Sequence, residues 1–153
     1  MGAGVLLDVL KYCLGFIPAI IRRHTYIPEV FVRVEINGPH YPNRTDINSI
    51  VFSLTSRSGI TKVKEGRVRF YDLDNPTDQQ EQNTGEFKLF EGKEKEFRLP
   101  FTPIGFSQRV MVGEACLKAE CNLALERPNG KPHEQDKRYT YDSKKRIFCE
   151  DHL

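Results

Sequence analysis

Residues 114–126 read Glu-Ala-Cys-Leu-Lys-Ala-Glu-Cys-Asn-Leu-Ala-Leu-Glu, and the fold follows from how this stretch is read. Ala115, Leu117, Ala119, Cys121, Leu123 and Leu125 occupy every second position. Between them stand Glu114, Lys118, Glu120, Asn122 and Glu126, with Cys116 and Ala124 interrupting the polar set. A period of two places one set on a core and the other toward water, the pattern of a half-buried strand. A helix competes, because Ala, Leu, Glu and Lys are good helix formers. Leu117, Cys121 and Leu125 would then share one helical face. Arg127-Pro-Asn-Gly-Lys131 favours the strand, since it has turn chemistry and leads into another β-like run. Such a strand is long for a globular protein and predicts a central place in a sheet, with a start near Arg109.

Beyond the turn, a final strand is expected around Lys137 to Tyr141. The tail from Lys144 to Leu153 is charged, with Ile147 and Phe148 able to dock back. On the other side, Phe87 and Leu89, then Phe97, Leu99 and Phe101, form two short strands around Glu91-Gly-Lys-Glu94, with Pro100 and Pro103 marking an edge or a crossing between sheets. Residues 72–85 (DLDNPTDQQEQNTG) hold no apolar residue after Leu73 and read as a long, exposed, mobile loop. Three more strands precede it: Glu29–Ile36 with Val30, Val32, Val34 and Ile36 on one face, Ile47–Thr55 with Ile50, Phe52 and Leu54, and Val63–Tyr71 with Val68 and Phe70 inward. Gly66 weakens the last of these. Asn37–Asn43 and Ser56–Gly59 are turns.

About seven strands at this spacing, without crossover helices, predict a mainly β fold: an antiparallel two-sheet β-sandwich of immunoglobulin-like or fibronectin-type rhythm, preceded by an N-terminal apolar helix. Strand count and rhythm alone carry that comparison, since no Cys-Trp-Cys core signature is present. Residues 1–24 form the helix and 25–153 the sandwich domain. Gly4 to Ile21 is apolar apart from Asp8 and Lys11, is interrupted by Pro18, and closes on Arg22-Arg23-His24. It could span a bilayer, being close to the minimum of about 17 residues, though Asp8 and Lys11 disfavour this, or lie in the interface as an anchor whose arginines meet anionic headgroups. Packing on the sandwich or self-association is the alternative. A cleaved signal lacks its basic start, and Leu6 stands where myristoylation expects Ser or Thr.

The 153 residues bury a core without needing disulfides or metal. The 23 basic and 21 acidic side chains leave a formal charge of +2, which gives no field for nucleic acid. Ten Phe and six Tyr supply aromatic mass in place of the absent Trp. Four cysteines (Cys13, Cys116, Cys121, Cys149) are too few for a disulfide scaffold and read as reduced intracellular thiols.

No catalytic, cofactor-binding or metal-binding residue is assigned. His24, His40, His133 and His152 are scattered and stand beside no nucleophile motif. Cys116, Cys121, Cys149 and His152 have spacings compatible with zinc, but Cys116 and Cys121 have opposite parity on a strand. Asp72, Asp74, Asn75 and Asp78 share a loop of the kind that holds calcium in some sandwiches, and a solvated loop is the preferred reading. Arg67–Tyr71 and Lys137–Tyr141 mix cations with aromatics, which alternating strands with a basic outer face also produce. Asn43-Arg44-Thr45 is a glycosylation sequon that matters only in an exported chain.

The expected function is a non-enzymatic interaction or scaffolding module in the cytoplasm, with a protein partner and a membrane held through residues 4–23. Its contact surfaces would be the Asp72–Gly85 stretch and the edge near Phe97–Phe101. The alternative is a soluble structural subunit that oligomerises through the N-terminal helix. A metal-dependent enzyme with an unrecognised site comes third.

Overall fold

The computed structural model describes residues 26–37, 49–75, 77, 79–100, 109–110 and 112–152. The N-terminal helix, Cys13, His24, His40, the Asn43 sequon, Asp78 and Phe101 lie outside the described residues. Nine strands are seen among the described residues: β1 (Val30–Asn37), β2 (Ser49–Ser56), β3 (Ile60–Asp72), β4 (Gln79–Asn83), β5 (Phe87–Phe90), β6 (Lys95–Pro100), β7 (Leu117–Glu126), β8 (Pro132–Asp142) and β9 (Ile147–Glu150). They form two antiparallel sheets, a β-sandwich. The three-stranded sheet runs β1-β2-β6, and the six-stranded sheet runs β4-β3-β7-β8-β9 with β5 added to β3.

The 114–126 stretch is a strand, as its alternation predicts, and it is central. β7 pairs with β3 on one side and β8 on the other. Leu117, Ala119, Cys121, Leu123 and Leu125 are all at most 2% exposed. Their inner face meets Val63, Val68 and Phe70 of β3 and, from the facing sheet, Val30, Val34, Ile50, Phe52, Leu54, Phe97 and Leu99. One core is thus built from the period-two residues of both sheets.

The structure corrects the sequence reading in four places. The long strand begins at Leu117, not near Arg109; residues 109–110 are helical, and the Glu114 and Ala115 amides both return to the Arg109 carbonyl. β8 starts at Pro132 and runs eleven residues, because β7 offers a ladder along its whole length. Residues 147–150 are a ninth strand, with Phe148 stacked against Tyr141 at 5.1 Å. Within the presumed 72–85 loop, Gln79–Asn83 pairs with Arg67–Tyr71 as an edge strand. An edge strand needs only backbone bonds on one side, so its lack of apolar residues hid it. The sequence leaves the sheet partners of β5 and β6 open. They belong to opposite sheets, and Phe87 and Phe97 meet across the gap at 5.3 Å.

Two local devices shape the sandwich. Between Val63 and Glu65 the β3–β7 register shifts, a bulge that leaves Lys64 out of the ladder. At Gly66 a Cβ would lie 2.5 Å from Thr84 Oγ1 and 2.9 Å from Leu123 Cδ2, so the glycine marks a close approach. On the far side, the Gln135 amide closes the start of the β1 edge. Its Oε1 accepts from Val30 N at 2.9 Å and its Nε2 donates to Val30 O at 2.8 Å, replacing a partner strand at that residue.

Candidate functional site

The outward residues of the six-stranded sheet form rows whose members are fixed by strand register. One row runs Tyr71, Lys118, Thr140, Cys149; the next Glu81, Arg69, Glu120, Arg138; the next Asn83, Arg67, Asn122, Asp136; the last Glu65, Ala124, Glu134. Charges of opposite sign on adjacent strands therefore face one another.

In the first two rows the charges neutralise each other. Glu120, only 3% exposed, lies 2.6 Å from Arg69 Nη2 and 3.5 Å from Arg138 Nε, and accepts from Tyr71 Oη at 3.1 Å. The Arg69 guanidinium also lies 4.9 Å from the centre of the Tyr71 ring. Burial, reinforced by the Glu120 charge, holds the Tyr71 phenol above its ordinary range. Beside it, Lys118 Nζ donates to Thr140 Oγ1 at 2.6 Å and pairs with Asp151 at 2.9 Å, while the Thr140 hydroxyl donates to Asp151 Oδ1 at 2.6 Å. Burial works to raise the Asp151 pKa, but the bonds from Thr140 and Lys118 outweigh it and hold the carboxyl below its usual value. The cation–aromatic runs Arg67–Tyr71 and Lys137–Tyr141 are thus engaged by carboxylates of the same sheet. Arg67 reaches Glu81 at 3.7 Å, and Lys137 reaches Glu150 at 3.4 Å.

The last two rows differ. Ala124 stands between Glu65 and Glu134, and its short side chain leaves a groove of about 430 Å³ bordered by Glu65, Arg67, Glu81, Asn122, Glu134 and Asp136. Asn122 joins its walls, accepting from Arg67 at 3.2 Å and donating to Asp136 at 2.7 Å. Arg67 and Glu81 pair with each other. Among the described residues, Glu65, Glu134 and Asp136 have no ion-pair partner, so the groove holds about three uncompensated negative charges on rigid strands.

The other sequence candidates fall elsewhere. Cys121 points into the core, where burial pushes its thiol up to about 12, and Cys116 is half-buried with its thiol also raised by burial. Neither is poised as a thiolate at neutral pH. Cys149 is exposed on β9, and the three described cysteines form no disulfide. Among the described residues, no three His, Cys, Asp or Glu side chains are placed to hold a metal ion. Asp72 is fully buried; its Oδ1 caps the Asp74 amide at 3.0 Å and its Oδ2 lies 3.6 Å from Arg109. It therefore anchors the loop after β3.

Of the two expected contact surfaces, the polar stretch contributes β4, whose Glu81 and Asn83 border the groove. The edge at residues 97–101 turns Phe97 and Leu99 into the core. The groove itself was missed in the sequence, because Glu65, Glu134 and Asp136 come together only through β3–β7–β8 register. The small Ala124 among polar outward residues was its one local signal.

No protein-family model and no curated protein matches the chain. Among solved structures, it is similar to the crystal structure of Spo0M, a sporulation control protein from Bacillus subtilis, with 15% identity and a TM-score of 0.35. The match covers 82% of this chain and 51% of that one, so the chain spans about half of Spo0M's length. At that score the functional reading has to come from this chain's own residues.

Proposed function

We propose that this chain is a non-enzymatic interaction module, a β-sandwich that binds a protein partner and is held at a membrane by residues 4–23. The observation that carries the reading is the contrast within one sheet face: two rows of charges satisfied internally, and beside them a groove with Glu65, Glu134 and Asp136 uncompensated. Paired strands fix the backbone positions of these exposed carboxylates without a ligand, so a cationic side chain of a partner meets them as a group and forms charge-assisted bonds. The immunoglobulin-like arrangement belongs to the same proposal; crossings between sheets at β2–β3 and β5–β6 support it. Apolar residues 4–21 followed by Arg22 and Arg23 support the membrane part. Among the described residues no helix is long and apolar enough to cross a bilayer.

Two measurements test this. Amide spectra of the domain, titrated with a lysine-rich and then a glutamate-rich peptide, should show shifts around residues 65, 124, 134 and 136 with the first alone. A triple Glu65→Gln, Glu134→Gln, Asp136→Asn variant should lose them. Equal response to both peptides, or none, removes the groove as a partner site. Fractionation of the full chain and of a version starting at Thr25, with size-exclusion of whatever stays soluble, tests the anchor. A full chain that pellets while the shorter one stays soluble and monomeric supports it. If both stay soluble and only the full chain is oligomeric, residues 4–23 are an assembly element and the membrane reading falls.

A further inference from the structure

The end of the sandwich at which the described chain begins carries exposed apolar side chains. Ile60, the first residue of β3, and Phe90, the last of β5, are register partners, and they remain 65% and 44% exposed. Both point to the outer face, since their neighbours Thr61 and Leu89 are buried. Ile27, 51% exposed, lies at the same end: the Arg57 amide donates to the Glu29 carbonyl, and the Glu91 amide donates to the Gly59 carbonyl. These bonds tie the incoming chain, the β2–β3 turn and the β5–β6 turn into one rim. Lysines and one carboxylate border the pair: Glu91 Oε2 accepts from Gly59 N at 3.3 Å. Lys62 and Lys88 face each other two positions further along, and Lys93 Nζ lies 6.0 Å from the Phe90 ring. Lys62 is held by Glu86 at 2.9 Å.

We infer that this rim is the membrane-facing end of the domain, with Ile60 and Phe90 entering the headgroup region of an anionic lipid surface. The inference rests on the anchoring role given above to residues 4–23 and adds the orientation of the sandwich. Three observations meet here. The apolar run 4–21 and its Arg22-Arg23 end only a few residues before Tyr26, so an anchored segment keeps the start of the described chain, and this rim with it, near the bilayer. Two large apolar side chains, directly paired, stay partly exposed at that rim. Lys88 and Lys93 beside them suit anionic headgroups. The groove with Glu65 and Glu134 begins further along the outer face, where a partner reaches it from the side.

The chain has no Trp, so Phe90→Trp in the full-length protein provides a single indole probe at the rim. Ile147→Trp provides a control, because Ile147 is 51% exposed and pairs with Asp142 at the opposite end of the sheet. Each is mixed with vesicles of phosphatidylcholine alone or with phosphatidylserine, and with brominated lipid as a quencher. The expected result is a blue shift and quenching for Phe90→Trp on phosphatidylserine vesicles, with no change for Ile147→Trp. A full-length Ile60→Glu, Phe90→Glu variant should then partition about tenfold more weakly. If the protein binds vesicles but Phe90→Trp emits as in water, the orientation is wrong while the anchor stands. An indole already blue-shifted and unaffected by lipid means that residues 4–23 or a second copy cover the rim, which also overturns the inference. If the full-length protein does not bind vesicles at all, the anchor itself is lost.

Discussion

On the outer face of the three-stranded sheet, Arg33 pairs with Glu35 and Glu94 at 3.1 Å, and all three side chains are about half exposed. On the six-stranded sheet, Glu120 pairs with Arg69 at 2.6 Å while only 4% of the Glu120 side chain is exposed. Both sets lie within ion-pair distance, the Glu120 pair the closer; the surroundings differ more. Water screens the first set, so breaking it costs little. In the second, the aromatic ring of Tyr71 and two guanidinium groups exclude water, and removal of one partner strands the others. The two sheets share one core; on the outer face of the three-stranded sheet Val51 and Ser53 of β2 are buried while the charges of β1 stay exposed, whereas on the six-stranded sheet the Glu120 charge itself is buried.

Five substitutions can break or sharpen this contrast, beginning with the largest expected effect. The inner faces should not differ: Phe52→Ala and Phe70→Ala, each removing a ring that is fully buried, should both cost about 3–5 kcal/mol in urea unfolding. A large gap between them would mean that the sheets do not share their core equally. The outer faces should differ. Glu120→Ala should cost about 2 kcal/mol and Arg33→Ala less than about 0.5 kcal/mol, and similar values for the two would remove the distinction. Between these lies Gln135→Ala, at about 1–2 kcal/mol, since the backbone of buried Val30 loses both of its bonds to the side-chain amide. The same variant uncovers the β1 edge, and new self-association at high concentration would show that the amide had guarded it.

The smallest effect concerns pH. Asp151 titrates below its ordinary carboxylate value in the folded state, so its contribution is present above the unfolded pKa of about 3.9 and is lost as pH falls through the lower, folded value. Asp151→Asn should therefore lower stability at neutral pH and flatten acid unfolding below about pH 4. An unchanged acid profile would mean that Lys118 and Thr140 do not stabilise the carboxylate.

How legible the molecule is from its sequence can be judged element by element. β1, β3 and β7 show themselves because their apolar residues fall on one buried face, and the pleat converts burial into alternation; β2 is buried on both faces, yet its large residues Ile50, Phe52 and Leu54 still alternate with Val51 and Ser53. β4 does not show itself, since Gln79–Asn83 gains its place from backbone bonds to β3 rather than from side-chain burial. β9 hides in a charged tail for a similar reason, with Phe148 alone packing inward. The separation of β5 from β6 is also silent, because Glu91–Glu94 reads as a hairpin turn whether the chain stays in one sheet or crosses to the other.

For the candidate site the division is sharper. Residues on one strand, such as Arg67 and Arg69 on β3, can be placed on a common face by parity alone. The groove joins Glu65, Ala124, Glu134 and Asp136 from three strands, and its charge depends on which residues the β3–β7–β8 register sets side by side. A slip of two residues in that register would keep every inward side chain inward, yet pair these carboxylates differently. The sequence by itself determined a mainly β chain, its central strand and the parity of its core residues, because burial acts on each strand alone. Strand order, the two backbone-held edge strands and the uncompensated groove were decided by tertiary structure, since each depends on bonds or charges between segments far apart in the chain.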